Sequence, residues 1–252
     1  MSKNVVITGA SSGIGEALAE QFAAKGYQLG LAARSVEKLQ ALAERLAKQY
    51  SVRVEIASLD VNDEASIPSV LDDLAKRLGG LDMVVANAGV TGVRRSGRDD
   101  LSIDRAIFQT NLFGAIATLD AATKIFLAQG HGHLVGISSF SAFTPIPASA
   151  AYSASKAALT NYMNAMRLEL LNKNIDVTVI HPGFINTNLA PKMDKYPFVI
   201  KADAAAKEMV QAIEHKKTNP IVPALPWKAV KTLFEIMPDS LISMAVLRMM
   251  KK

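Results

Sequence analysis

A tyrosine and a lysine four residues apart, Tyr152 and Lys156, stand near the start of an apolar-periodic run from about Ser149 to Asn172. On a helix this spacing sets the phenol and the ammonium on one face, one turn apart. A free phenol keeps its proton up to a pH of about 10. A cation held beside it favours the phenolate and lowers that value. Such a pair would give and take a proton near neutral pH. The same spacing also marks many ordinary solvated helix faces, so its meaning depends on the rest of the chain. Ser139, 13 residues before Tyr152, adds a hydroxyl at the end of an apolar run, His133 to Ile137. No Gly-x-Ser-x-Gly elbow surrounds it or Ser138, so neither serine reads as a hydrolase nucleophile.

The elements that would position these groups alternate regularly. Asn4 to Thr8 is a short run of β-branched residues, as in a strand buried on both faces. Gly9-Ala10-Ser11-Ser12-Gly13-Ile14-Gly15 follows, and Glu16 to Lys25 reads as a helix. Strand, glycine-rich turn and helix is the setting in which glycines cradle phosphate. The chain turns tightly and the helix N-terminus offers free N–H groups to a pyrophosphate. A bland reading, a βα turn of small residues, is also open. A second strand, Gln28 to Ala33, ends at Arg34-Ser35 before a helix from Val36 to Gln49. An acid at this place would grip a ribose 2′-OH, whereas a guanidinium pairs with a 2′-phosphate. The residues therefore favour NADP(H) over NAD(H), unless Arg34 is merely solvated.

A third strand, Arg53 to Leu59, closes at Asp60-Val61, and a helix opened by acids is expected from Asp63 to Leu78. Asp60 suits either an adenine amino group or a helix cap. Leu81 to Ala86 forms a fourth strand ending in Asn87-Ala88-Gly89, small enough for backbone to lie against a flat ligand. The stretch 90–100, with Arg94, Arg95 and Arg98, reads as an exposed loop, either at the mouth of a site or, the favoured reading, merely solvated. Leu101 to Gln129 is a long helical stretch containing Asn111, and a mid-helix Asn is ordinarily solvent-facing or locally bonded. Ile175 to Ile180 is a buried strand, followed by His181-Pro182-Gly183-Phe184-Ile185-Asn186-Thr187. His181 reads as a packed or solvated residue, and with no second His nearby no metal site is expected. The stretch 188–205 reads as a lid over a substrate pocket, with Ala202 to His215 helical and Ile221-Val222 a last strand. The stretch 224–252 reads as two amphipathic helices broken at Pro238, either a pocket cap or a subunit contact. A membrane-surface role is the less favoured alternative.

Composition bounds the class. The chain has 252 residues, half hydrophobic, no cysteine and a net charge of +5. This suits a globular core, excludes disulfides and thiolate metal sites, and mildly favours anionic ligands. Scattered basic residues and few aromatics argue against nucleic acid. A strand within three residues of the start leaves no room for a signal peptide, and no uncharged run reaches the roughly 20 residues of a membrane span. A cytoplasmic protein is expected. Strands alternating with helices, without repeat or linker, predict one α/β domain over 1–252. It is a doubly wound, Rossmann-type parallel sheet with a C-terminal helical extension.

Together the motifs resemble the short-chain dehydrogenase/reductase family, in its single-domain branch of about this length. The carriers are Thr8 to Gly15, Asp60-Val61, Asn87-Ala88-Gly89, Asn111, Ser138-Ser139, Tyr152-Ser153-Ala154-Ser155-Lys156 and Pro182 to Thr187, in the family's order and spacing. The resemblance implies a nicotinamide-dependent oxidoreductase acting on a small carbonyl or alcohol. Tyr152 would be the general acid or base and Ser139 the donor to the substrate oxygen. Lys156 would tune Tyr152 and hold the nicotinamide ribose. Asn111 would, through a local helix distortion, position a water linking Lys156 to solvent. Gly9, Ser11, Ser12, Gly13, Ile14 and Gly15 would hold the pyrophosphate, Arg34 and Ser35 the 2′-phosphate, and Asp60 with Val61 the adenine. Asn87, Ala88 and Gly89 would line the cofactor. Pro182, Gly183, Ile185 and Thr187 would present the nicotinamide, with Ile185 and Thr187 fixing its carboxamide. Two departures matter. Ala86 stands where a second Asn is common, and the C-terminus lacks the Gly-rich strand segment typical of tetrameric members that reduce carrier-bound acyl chains. A homo-oligomer, dimer or tetramer, and an apolar ketone or aldehyde are the expectations. The competing readings are a non-catalytic NADP(H) sensor or scaffold and a peripheral membrane reductase of a lipid-like substrate.

Overall fold

The computed structural model describes residues 3–187, 196–238 and 240–244. Among the described residues nine strands run β1 (Asn4–Thr8), β2 (Gln28–Ala33), β3 (Val54–Ser58), β4 (Met83–Ala86), β5 (Gly132–Ile137), β6 (Ile175–Pro182), β7 (Ile185–Asn186), β8 (Ile200–Lys201) and β9 (Ile221–Val222). The helices are α1 (Gly13–Ala24), α2 (Val36–Tyr50), α3 (Ile67–Leu78), α4 (Ser102–Phe108), α5 (Ala115–Gln129), α6 (Ala150–Glu169), α7 (Ala202–Glu214) and α8 (Ala224–Ile236). Seven strands form one sheet in the order β3-β2-β1-β4-β5-β6-β9, every pair parallel. β7 and β8 pair separately.

The sheet is covered on both faces, which explains the uninterrupted apolar strands. Along β1, Val5 and Ile7 join the core under α1, α2 and α7, while Val6 joins the opposite core under α3, α5 and α6. β4 alternates likewise, with Met83 and Val85 on one side and Val84 and Ala86 on the other. Leu18 and Phe22 of α1 and Leu71 and Leu74 of α3 are wholly buried by these contacts. The chain order reverses between β1 and β4. In a doubly wound sheet this opens a crevice at the carboxyl ends of the strands, where ligands bind. This is the single-domain Rossmann-type fold that the alternation of elements predicts.

Three local expectations need correction. α1 begins at Gly13, not Glu16, so the last glycines of the turn are the helix's own first residues. α3 begins at Ile67 with Pro68 in its first turn and no acid there. Residues 63–66 instead form a turn in which the Ser66 hydroxyl donates to the Asp63 carbonyl, and proline's fixed φ suits the helix start that follows. The stretch from Leu101 to Gln129 is interrupted by a π-helical segment, Gln109–Gly114. The apolarity of Ser102–Gln129 approaches that of a membrane span, but Leu119, Ala122 and Phe126 spend it on the core.

His133 lies in β5, buried, with Nε2 2.9 Å from the Thr178 hydroxyl. Burial pulls its imidazole down to about 4. The unfolded chain, with an ordinary value near 6.5, therefore binds more protons between these limits. The stability linked to neutral His133 is full above about pH 6.5 and is lost as pH falls toward 4. Thermal unfolding of the wild type and of His133→Gln across this range checks this. The Tm of the variant is expected to fall less steeply with acid.

Candidate active site

The carboxyl ends of β1, β2, β4, β5 and β6 border one cavity of ≈ 810 Å³. At one end lies the glycine turn. Gly9 adopts φ +65° and Gly13 φ +62°, a left-handed backbone that favours glycine. A Cβ on Gly15 would stand 2.4 Å from the Gly9 carbonyl oxygen and 2.5 Å from Asn87 Nδ2, so no side chain fits. Asn87 Nδ2 donates to the Thr8 and Gly9 carbonyls at 2.9 and 3.2 Å, tying the turn to the end of β4. Ser12 precedes α1 in extended conformation and its hydroxyl caps nothing. The first N–H groups of α1 thus receive no cap from Ser12, at a helix end suited to anions. This cradle fits a pyrophosphate.

Arg34, Ser35 and Lys38 border the cavity beyond β2. The Arg34 side chain is 70% exposed and stands 4.0 Å from the Asp60 carboxylate, a loose contact that leaves its fork available. Asp60 also accepts the Asn62 N–H at 3.0 Å, so its carboxylate braces the turn before α3 rather than capping α3 itself. Lys38 went unread in the sequence. Its signal was a second cation four residues after Arg34, in the first turn of α2.

Tyr152 and Lys156 sit in the first two turns of α6, where the apolar side of the helix packs Leu159 and Met163 on the sheet. Ser139, just past β5, stands beside the Tyr152 hydroxyl, whose pKa it acts to lower, and accepts the Ser141 N–H at 3.1 Å. Lys156 is 4% exposed and donates from Nζ to the Ile137 carbonyl at 2.8 Å. Nζ stands 5.9 Å from the centre of the Tyr152 ring. Burial lowers the ammonium to about 8. Burial likewise raises the Tyr152 phenol, with the Ser139 hydroxyl opposing it. The lowered phenol expected from a neighbouring cation is therefore not the state of the protein alone. Loss of water around the ring outweighs an ammonium already engaged by a backbone carbonyl.

Asn111 is fully buried, not solvent-facing or locally bonded. Its Oδ1 accepts the Val90 N–H at 2.8 Å and its Nδ2 donates to the Val90 carbonyl at 2.9 Å. The π segment swings it onto the chain beyond β4, where a Cβ on Gly89 would lie 3.3 Å from Asn111 Oδ1 and 3.6 Å from Lys156 Nζ. Arg94 also departs from expectation. Within a loop read as solvated, it is 14% exposed and paired at 2.7 Å with Asp104 of α4. The bond bridges the loop to a helix the sequence did not resolve as separate.

Behind the Tyr-Lys helix runs a chain of polar groups that the sequence did not disclose. The Ser138 and Thr160 hydroxyls stand 2.8 Å apart and 2.9 and 2.8 Å from the Lys156 carbonyl, to which either can donate, and Thr160 lies 3.2 Å from His181 Nε2. His181 is wholly buried and held down to about 4 by burial. Pro182, Gly183, Ile185 and Thr187 border the cavity opposite α6. Of the expected lid, residues 188–195 lie outside the described residues, while Tyr196, Pro197 and Phe198 border the cavity. Trp227, Val230, Leu233 and Phe234 of α8 close its far end. A helical stretch resumes at 240–244 after Pro238, and the rest of the expected second helix lies outside the described residues.

Fold and site together define a dinucleotide-binding oxidoreductase of the Rossmann type. The short chain dehydrogenase family model matches residues 3–196. An uncharacterized oxidoreductase of Myxococcus xanthus is 36% identical over 250 residues, covering 98% of this chain and 97% of its own. Another, of Mycobacterium tuberculosis, is 35% identical over 95% of each chain. The solved alcohol dehydrogenase of Thermococcus sibiricus, complexed with 5-hydroxy-NADP, superposes with a TM-score of 0.80 at 29% identity, covering 88% of this chain and 96% of its own. The chain belongs to the short-chain dehydrogenase/reductase family.

Proposed function

We propose that this oxidoreductase is an NADP(H)-dependent carbonyl reductase acting on an apolar ketone or aldehyde. The observation that carries the proposal is the meeting of Ser139, Tyr152 and Lys156 on the same cavity as the glycine turn and the Arg34–Lys38 edge. The nicotinamide, when bound, supplies the hydride. The protein's part is to stabilise and protonate the oxygen that the hydride leaves charged. Ser139 donates a hydrogen bond to that oxygen and Tyr152 gives it the proton. The half-buried phenol, raised above its ordinary value, holds its proton throughout the neutral range, which suits the acid role and hence reduction. Lys156 holds the nicotinamide ribose and faces Tyr152. Asn111 positions Gly89 and Val90, and through its π segment a water beside Lys156. Gly9 to Gly15 hold the pyrophosphate, Asp60 and Val61 the adenine, and Asn87 to Gly89 the adjoining cofactor. Pro182, Gly183, Ile185 and Thr187 present the nicotinamide ring.

The choice of NADP(H) rests on Arg34, Ser35 and Lys38 and on the absence of an acid immediately after β2. A bound 5-hydroxy-NADP in the Thermococcus sibiricus alcohol dehydrogenase is consistent with it. A lost charge-assisted bond is worth about 1.5–3 kcal/mol, so Arg34→Ala is expected to lower kcat/KM for NADPH by about 10- to 100-fold and leave NADH nearly unaffected. Steady-state assays with both cofactors decide it. A wild type that prefers NADH, with Arg34→Ala unchanged, sinks the cofactor assignment. The cytoplasm, with its largely reduced NADP pool, is the compartment this reading implies. Exposed Leu168 and Leu171 at the end of α6, and Leu225 and Ile236 on α8, are apolar surface that a second copy would bury in the homo-oligomer we propose.

A further inference from the structure

The half of the cavity beyond Ser139 and Tyr152 is walled by aromatic rings from separate segments. Phe140 follows Ser139 directly and its ring lies 4.6 Å from Trp227 of α8. Trp227 meets Phe184 edge to face, centres 5.0 Å apart at 90°. Phe184 in turn lies 5.1 Å from Tyr196. The four rings make an unbroken chain, and all four border the cavity. One end adjoins the serine that would hold the reacting oxygen, and Phe184 sits between Gly183 and Ile185, in the segment assigned to the nicotinamide.

This wall is rigid. Phe140 and Trp227 are 8% and 4% exposed. Trp227 is seated on Gly183, where a Cβ would stand 2.2 Å from the indole nitrogen, so the glycine makes room for the ring. The wall is also uncharged. Among the described residues bordering the cavity, the charged ones are Arg34, Lys38 and Asp60 at the cofactor's far end and Lys156 at the junction. The nearby Lys231 lies behind the wall, 4.9 Å over Phe143 and paired with Glu235 at 3.0 Å.

We infer that the natural substrate is an uncharged ring-bearing carbonyl compound, with its ring seated against Phe140, Phe184 and Trp227, and that Trp227 sets this specificity. The inference rests on the carbonyl-reductase reading and narrows it. Fixed ring edges and faces favour a flat or cyclic group over a flexible chain of equal size, which must also surrender its rotamer freedom. A carboxylate placed there loses its water and finds no cation among the described residues, a burial the site penalises heavily.

The test compares acetophenone, an acyclic methyl ketone of equal carbon number and 4-acetylbenzoate, each with NADPH. The ring ketone is expected to exceed the acyclic one in kcat/KM by about 10-fold or more, and the carboxylate by about 100-fold or more. Trp227→Leu, and independently Phe184→Leu, are expected to bring the ring-to-chain ratio toward one. Thermal unfolding and the NADPH Kd show whether each variant is folded, and the ratio is read only within a variant. Trp227 is the single tryptophan of the chain, which gives a readout free of turnover. In the NADP⁺ complex, acetophenone is expected to quench its fluorescence to saturation, and 4-acetylbenzoate is not. If wild type reduces ketones without a ring preference, or both folded variants keep the ratio, or the tryptophan ignores the ring ketone, the inference fails while the reductase reading stands. If no ketone is reduced at all, the reductase reading itself has failed.

Discussion

Tyr152→Phe is expected to lower kcat for ketone reduction by about 10³-fold while the NADPH Kd changes less than about threefold. General acids contribute about 10²- to 10⁴-fold, and the variant lacks the proposed proton donor. The ring is retained, so the packing of the first turns of α6 is kept. Its neighbour Ser139 also accepts the Ser141 N–H and so stays anchored. The residual rate should lose the dependence on alkaline pH expected of the wild type as its raised phenol titrates. Titration of NADPH by protein fluorescence, beside steady-state kinetics, separates binding from chemistry. A variant with near-normal turnover shows that the proton comes from elsewhere.

Lys156→Met is expected to damage both binding and chemistry, unlike loss of the phenol. Removal of a charged donor to the cofactor ribose weakens NADPH by about 10- to 100-fold, and kcat falls by about 10²-fold or more as the charge facing Tyr152 is lost. The unliganded protein should respond in the opposite sense at neutral pH. Lys156 is buried without a carboxylate, and burial holds it at about 8 rather than 10.5. The unfolded chain therefore binds more protons between these values. The cost of burying the ammonium is full below about pH 8 and is relieved as pH rises toward 10.5. On the order of 3 kcal/mol separates the two limits. The stability of Lys156→Met relative to wild type is thus expected to be greatest below pH 8 and to shrink above it, as denaturant unfolding at several pH values will show. A functional charge held at a cost to stability is common at active sites.

How far the sequence reaches follows from which interactions are local. β1 and β2 were legible because they are buried on both faces. β2 runs over the six residues its apolar run predicts, and β1 likewise over its five. The glycine turn was legible because strand, glycines and helix adjoin in the chain. Its backbone does what such a turn requires at Gly9 and Gly15. Tyr152 and Lys156 were found through helical spacing, but not the state of the phenol. That state is set by desolvation and by an Ile137 carbonyl that claims the ammonium from 19 residues away. Asn111 misled in isolation because its hydrogen-bond partner, Val90, lies 21 residues distant in the chain. Arg94 misled for the same reason, since Asp104 lies across a loop. Trp227 was visible only as part of an apolar tail. Its place against Gly183 and Phe184 depends on β6 and β9 lying side by side, a long-range pairing that no local pattern carries.

The most direct measurement is a single-turnover experiment on the wild-type protein saturated with NADPH and mixed with excess acetophenone, following nicotinamide absorbance. The expected result is ketone-dependent oxidation of the bound NADPH, lost in Tyr152→Phe at equal cofactor occupancy. Tight NADPH binding with no oxidation by any ketone, or oxidation that survives in Tyr152→Phe, contradicts a reductase centred on Tyr152. The first outcome would leave a cofactor-binding protein without turnover, and the second a different proton donor.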